Sequence, residues 1–322
     1  MTTLRRIRLI NAAQVHSVRR DIRILAAALA LVSASAAAQQ APDLTFHFVN
    51  AHPAFASGKG PRVCTDVAHI NFQSAERNPG SFRPLAALLE SDGYRVRESR
   101  SAFSRKALAG CDVLIVADAS AGANARTQFD FPRRLAFTSK EVDALYGWIH
   151  DGGGLLMIAD HAPTPAALAE IGYRLGITVQ DGFARVRADS LPDVFARNRG
   201  ELGDHAILRG RNAQEVVDSV DTFTGHAFWA SRDWSPLLKF GDGATGYLPQ
   251  PSLPRAEWPS MSLTGWLQAA ARQLGSGRVV WLGEVSACTA LHGATGMNNP
   301  GAAQNAQFCL NINRWLSRAL DP

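Results

Sequence analysis

The sequence predicts an α/β domain with a mostly parallel sheet covered by helices on both faces, and a strand- and loop-rich insertion in its second half. Short unbroken apolar runs, Asp112–Ala117 and Leu155–Ala159 among them, mark strands buried on both faces, as parallel strands are. Stretches with helix-start and helix-stop signals alternate with these runs. Repeated strand–helix–strand units imply right-handed crossovers and a sheet sandwiched between helices.

Val63–Asp66 reads as a short first strand, followed by a helix over Pro84–Glu90 with its proline in the first turn, where a missing N–H costs least. Asp92-Gly93 stops that helix and Tyr94–Glu98 makes a second strand. Lys106–Ala109 supplies a turn of helix, and Asp112–Ala117 is the third strand, with a long irregular insertion over 119–137. Thr138 and Glu141 have capping-box spacing and open a helix over Val142–His150, which ends at Asp151-Gly152-Gly153-Gly154. The strand Leu155–Ala159 precedes a helix over Pro165–Leu175. Residues 185–260 read as strand and loop, with Val217–Thr222, Leu237–Phe240 and Thr245–Leu248 as strands. A helix over Thr264–Leu274, a strand over Val279–Gly283 and a closing helix over Gln304–Leu320 complete the expected order.

The N-terminus has a different character. Six arginines and one aspartate precede or flank the apolar run Ile24–Val32, and small residues follow to Ala36-Ala37-Ala38. A basic region, a short apolar core and an A-x-A site are the parts of a cleavable secretory leader, so 1–38 is expected to be a signal peptide, 39–60 an extended arm and 61–322 the domain. The apolar run is shorter than the ~20 residues a membrane span needs, which predicts no permanent anchor after leader removal. Of 33 Lys+Arg and 28 Asp+Glu in the chain, the leader holds 6 and 1, leaving 27 and 27. The formal +5 is therefore the leader's, and the balanced remainder offers no electrostatic footprint for nucleic acid. A periplasmic or secreted location permits disulfides among Cys64, Cys111, Cys288 and Cys309. The strand assignment puts Cys64 and Cys288 towards one end of the sheet, which points to a Cys64–Cys288 bridge, with four buried thiols as the alternative.

In parallel sheets, ligands bind beyond the carboxyl ends of the strands. The first strand runs out into Asp66-Val67-Ala68-His69-Ile70-Asn71, the strand Leu155–Ala159 into Asp160-His161, and Val279–Gly283 into Glu284. Asp66, His69, Asp160, His161 and Glu284 are thus the candidate catalytic residues. Asn71 and Arg83 near the first strand end, Thr224 from the second half and Asn298 in Gly296–Asn299 are the candidate ligand-binding residues. His226 beside Thr224 reads first as structural, and Trp229 and Trp258, in loops, could stack a sugar.

These segments also carry a family resemblance. Gly58–Pro61, Asp66–Phe72, Phe82–Pro84, Ile158–His161, Thr222–Gly225, Gly283-Glu284, Gly296–Pro300 and Gln307–Leu316, in this order and spacing, resemble a family of exported bacterial proteins with a class I glutamine amidotransferase-like, flavodoxin-like domain. The resemblance covers nearly all of 55–320 and brings no established substrate. It implies that the first strand lies beside Leu155–Ala159, which would put Asp66 and His69 next to Asp160 and His161. Two positions depart from the family pattern: Val67 stands where an acidic residue is common and Gln73 where a histidine is common.

A glutaminase needs a cysteine nucleophile on a tight strand-to-helix turn. The turn after Leu155–Ala159 presents Asp160-His161 instead, so glutamine hydrolysis is not expected. The histidines and carboxylates could hold a divalent metal that activates water, or act without one as general base and acid, with Glu284 as the acid. Paired carboxylates also serve glycoside hydrolysis. The structural alternative has Asp160 capping the next helix. The glycine run at 152–154 precedes a strand, the reverse of a phosphate loop, and nothing calls for a nucleotide or nicotinamide cofactor. Two classes of function follow: a hydrolase of an envelope-derived carbohydrate or peptide, or a non-catalytic ligand- or protein-binding module of the envelope.

Overall fold

A computed structural model of the chain describes residues 41–70, 82–120, 133–187, 191–292, 295–301 and 304–321. The expected leader, Asn71 and Gln73 lie outside the described residues. Pro42–Pro322 forms one compact unit.

The first half runs β1 (Arg62–Asp66), α1 (Arg83–Ser91), β2 (Arg95–Ser99), α2 (Arg105–Leu108), β3 (Val113–Ala117), α3 (Ser139–His150), β4 (Gly154–Ile158), α4 (Thr164–Ala167) and α5 (Ala169–Arg174). Then come β5 (Ile177–Val179), β6 (Phe183–Arg185), β7 (Asp193–Ala196), α6 (Ala206–Arg209), β8 (Ser219–Thr222), β9 (Phe228–Ala230), β10 (Ser235–Lys239), β11 (Thr245–Tyr247) and β12 (Ser260–Ser262). The long strands β13 (Leu267–Leu274) and β14 (Gly277–Leu282) and the helix α7 (Asn305–Leu316) complete the main elements.

The main sheet has nine strands in the order β2-β1-β3-β4-β14-β13-β9-β5, with β10 also on β13. From β2 to β14 every neighbour is parallel, whereas β13, β9, β10 and β5 join antiparallel. The sheet is therefore mixed rather than mostly parallel throughout. Two smaller sheets, β12-β11-β6 and β7-β8, occupy much of the second half. Side chains alternate across β3: Val113, Ile115 and Ala117 join one core with α1 and α7, and Leu114 and Val116 join the other with α3 and α5. Burial on both faces is what the unbroken apolar runs encode. No helix among the described residues is long and apolar enough to cross a membrane.

Four further expectations are corrected. The stretch Thr264–Leu274 is not a helix; its segment Leu267–Leu274 is β13, paired over Ala269–Leu274 with β14. Its alanines favour a helix intrinsically, but small buried side chains also suit a strand packed on both faces, and tertiary context decides. The first strand does not lie beside β4, because β3 stands between them. Nor does Cys64 pair with Cys288: the disulfides are Cys64–Cys111 and Cys288–Cys309, with Cα–Cα distances of 5.7 and 5.8 Å. Cys111 leads into β3, next to β1, and is the neighbour within reach of Cys64, whereas β3 and β4 separate β1 from β14. Cys288 instead meets α7 at Cys309. The single helix expected over Pro165–Leu175 is two short ones, α4 and α5.

The arm before β1 is tied to the domain. Asp43 N donates to Ala290 O, Phe55 N to Asp92 O, and the Phe55 ring meets Tyr94 edge-on at 5.2 Å. Asp92 is fully buried and receives Asn50 Nδ2 at 2.8 Å and Ala54 N at 2.9 Å, so one carboxylate in the α1–β2 turn holds the arm in place.

Candidate functional site

Four neighbouring parallel strands run out into acids at one edge of the sheet. Asp66 ends β1, Asp118 follows β3, Asp160 lies two residues past β4 and Glu284 two past β14. Ile158 and Leu282 are in register, so Asp160 and Glu284 follow at the same offset on adjacent strands, which in a sheet lie ~4.8 Å apart. Asp118 takes a left-handed conformation (φ 57°), tolerated by a short polar side chain, and its Oδ1 accepts from Asp160 N at 3.2 Å.

The five candidate catalytic residues form two groups. In the first, His69 Nδ1 lies 3.0 Å from Asp66 Oδ2 and Nε2 lies 2.8 Å from Glu141 Oε1. The ring packs against Phe103 and Phe137 at 4.6 and 4.8 Å. Burial opposes charge on this imidazole, but the hydrogen bonds and charges of Asp66 and Glu141 outweigh it and raise its pKa. Burial also pushes Glu141 up, yet the bonds from Thr138 and His69 win and hold it down at about 2. Both ring nitrogens face carboxylates, so the group is a clamp joining the end of β1 to the start of α3. Glu141→Gln keeps a residue suited to the capping box but removes the charge opposite His69. It is expected to lower unfolding free energy by about 1–3 kcal/mol at pH 7. The sign of the pH dependence follows from the depressed carboxyl. Glu141's contribution is complete above its unfolded value of 4.5 and is lost as pH falls towards about 2. The gap between wild type and variant in urea unfolding should therefore narrow from pH 5 to pH 2.5.

The second group is Asp160, His161 and Glu284. Glu284 is 2 % exposed, and its carboxyl accepts Ser286 N, Ser286 Oγ and Ala287 N, each at 2.9 Å. Burial first, and the charge of Asp160 second, push its pKa up to about 8 against those three donors. Asp160 and His161 are the open members, with side chains 17 % and 37 % exposed, and His161 Nε2 is 3.8 Å from Asp160 Oδ2. Gly225, with φ 89°, lets the β8–β9 turn close on Glu284: a Cβ there would stand 2.1 Å from Gly283 O and 2.9 Å from Glu284 Cβ. His226, fully buried, accepts Trp281 Nε1 at 3.3 Å, and burial lowers it to about 4, which keeps it neutral. A neutral buried acid beside a more open carboxylate can exchange a proton with a bound molecule near neutral pH.

His161 stacks on Phe183 with ring centroids 4.1 Å apart. Phe183 also lines a cavity of about 160 Å³ with Arg185, Thr224, Tyr247, Arg255 and Trp258. This places Thr224 on a recess one ring away from the Asp160 group. Arg83 is exposed as the first residue of α1. Asn298 donates to Asp43 Oδ2 and Leu291 O, both at 2.9 Å, and so holds the arm. A larger recess of about 640 Å³, with Lys59, Arg95, Trp148 and Arg318 in its wall, opens at the amino ends of the strands, away from all of these acids. Among the described residues no three His, Cys, Asp or Glu side chains are grouped to hold a metal ion.

Two participants escaped the sequence reading. Asp118 carries the same signal as Asp66, Asp160 and Glu284, an acid directly after a buried apolar run. Glu141 is legible as a capping-box residue, yet its second role depends on His69, 72 positions away.

No protein-family model and no curated protein matches the chain. Among solved structures it is similar to the mmIFT52 N-terminal domain, with 13 % identity over 79 % of this chain and 97 % of that one and a TM-score of 0.54. It is also similar to thua-like proteins from Bacteroides uniformis and Parabacteroides merdae. The first has 12 % identity over 85 % of this chain and 95 % of that one, with a TM-score of 0.44. The second has 10 % identity over 80 % and 90 %, with a TM-score of 0.45. At such identities the first likeness is one of fold alone.

Proposed function

We propose that the chain is an exported, amidotransferase-like protein without glutaminase activity that hydrolyses an envelope-derived carbohydrate. In this reading Asp160 takes the proton of the attacking water, the glycosidic C–O bond breaks, and the leaving oxygen receives the proton that the Asp160–Glu284 pair holds on Glu284. The observation that carries it is the placement of a buried carboxyl, Glu284, at the same offset past β14 as the more exposed Asp160 past β4. Burial and that neighbouring charge both push the Glu284 pKa up. Two carboxyls side by side do not both ionise readily, and the pair keeps one proton to give and one site to take. The β2-β1-β3-β4-β14 order, a flavodoxin-type 2-1-3-4-5 arrangement, supports the amidotransferase-like assignment. None of the four cysteines is free, so no thiolate stands ready to attack a glutamine amide. Two disulfides suit an oxidising compartment and thereby favour export.

A second reading, a binding module of the envelope, is favoured by the three hydrogen bonds that Glu284 spends on Ser286 and Ala287, since they also cap that turn. The two separate on Asp160→Asn. The hydrolase reading expects release of reducing ends from envelope oligosaccharides by the wild type, and a loss of at least ~100-fold in the variant with its unfolding transition retained. Undiminished release by the variant would remove Asp160 from the chemistry. Ligand binding by both proteins with release by neither would leave the binding module.

A further inference from the structure

The recess beside His161 has a composition that the acid–base pair does not explain. Its walls are the rings of Phe183 and Trp258, 5.6 Å apart at 32°, with the hydroxyl-bearing Thr224 and Tyr247 and two guanidinium groups. The two arginines differ. Arg185 Nε is bound to Asp193 Oδ2 at 3.0 Å, and that carboxylate is 1 % exposed, so this cation is matched by a buried acid. Arg255 lies over the aromatic pair, 5.0 Å from the Phe183 centroid and 5.7 Å from that of Trp258. Among the described residues no carboxylate forms an ion pair with it. Its charge therefore faces a recess whose other groups are aromatic rings, hydroxyls and Arg185, which is already matched by Asp193. The volume of about 160 Å³ is about five waters' worth of space, enough for a group the size of one sugar ring.

We propose that this recess is a subsite for a carboxylate-bearing sugar residue of the substrate. Trp258 takes the apolar face of the ring, and Phe183 serves as the platform that holds His161 and Arg255 in place. The Thr224 and Tyr247 hydroxyls meet the sugar hydroxyls, and Arg255 takes the carboxylate. Aromatic faces suit the C–H face of a sugar, and a planar guanidinium suits a carboxylate in two-pronged geometry. His161 connects the subsite to the chemistry, stacking on Phe183 on one side and standing 3.8 Å from Asp160 on the other. The proposal deepens the hydrolytic reading and rests on it for the word substrate; the binding preference stands on the recess itself.

The test titrates the wild-type protein, by tryptophan fluorescence and by calorimetry, with three probes: a galacturonate tetrasaccharide, its carboxyl-reduced neutral counterpart and a tetraglutamate peptide. The expected result is at least tenfold tighter binding of the uronate than of either other probe, a preference that weakens with added salt. Arg255→Gln, at an exposed position where folding is not at risk, is expected to erase the preference, and Trp258→Ala to weaken both saccharides. Equal affinity for charged and neutral saccharides, tighter binding of the peptide, an unchanged preference in Arg255→Gln, or no binding of any probe would overturn the proposal. Asp160→Asn separates its failure from that of the hydrolytic reading. Uronate preference without turnover in the wild type would sink the hydrolase and leave the subsite. Turnover that Asp160→Asn abolishes, without uronate preference, would do the reverse.

Discussion

Glu284→Gln is expected to cut turnover by about 100- to 10,000-fold while making the protein more stable in alkaline solution. The two effects have one origin. The folded-state pKa of Glu284, about 8, lies above its ordinary 4.5, so the fold favours the neutral carboxyl. For a group shifted this way the penalty is absent below 4.5, grows as pH climbs towards 8, and is constant above. A neutral amide of the same shape never incurs it, and at pH 9 the variant should gain roughly 2–4 kcal/mol over wild type. At pH 5 the order should reverse by about 1 kcal/mol. There the wild-type carboxyl is already largely neutral, and the amide group cannot accept every bond that Ser286 N, Ser286 Oγ and Ala287 N donate. Urea unfolding at the two pH values measures both arms. A variant that is less stable by the same margin at pH 5 and pH 9 would mean that Glu284 is ionised throughout and only caps the turn.

The largest stability effect is expected far from that site. Arg314 on α7 is 1 % exposed and grips Asp92 through Nε–Oδ2 at 2.8 Å and Nη2–Oδ1 at 2.6 Å, with Nη1 2.9 Å from Glu215 Oε1. Asp92 in turn holds Asn50 and Ala54, so one guanidinium joins α7, the α1–β2 turn, the Glu215 turn and the arm. Arg314→Met leaves Asp92 charged, buried and without its cation. Such a break costs about 3–5 kcal/mol, or roughly 10 °C in a domain of this size. Adding Asp92→Asn should recover part of that loss, because the stranded charge is the main cost. Thermal unfolding checks both variants. A single variant within 1 kcal/mol of wild type would show that solvent reaches the network.

The fold is legible where burial on both faces writes an unbroken apolar run. Asp112–Ala117 and Leu155–Ala159 correspond to β3 and β4, and Thr138–Glu141 to a formed capping box. It is not legible where propensity and packing disagree. Leu267–Leu274 has a helix former's composition and becomes a strand because β14 and β10 flank it. Strand order is a long-range property, so neither the interposed β3 nor the disulfide pairing that follows from it has a local signal. The site is legible to the same extent. Strand-end placement finds Asp66, Asp160 and Glu284, but which of them interact depends on the order of strands. His69 turns to Glu141 rather than to Asp160, and the recess at Phe183 and Trp258 is assembled from β6, β11 and the approach to β12.

The central claim is that the Asp160–Glu284 pair performs acid–base hydrolysis, and the pH–rate profile of the wild-type protein tests it most directly. Reducing-end release from envelope oligosaccharides, measured between pH 5 and pH 10 with unfolding followed in parallel, is predicted to fall tenfold per unit above about pH 8, where Glu284 loses its proton while the fold is still intact. No release at any pH, or a rate that stays level through pH 8–10 in folded protein, would contradict it.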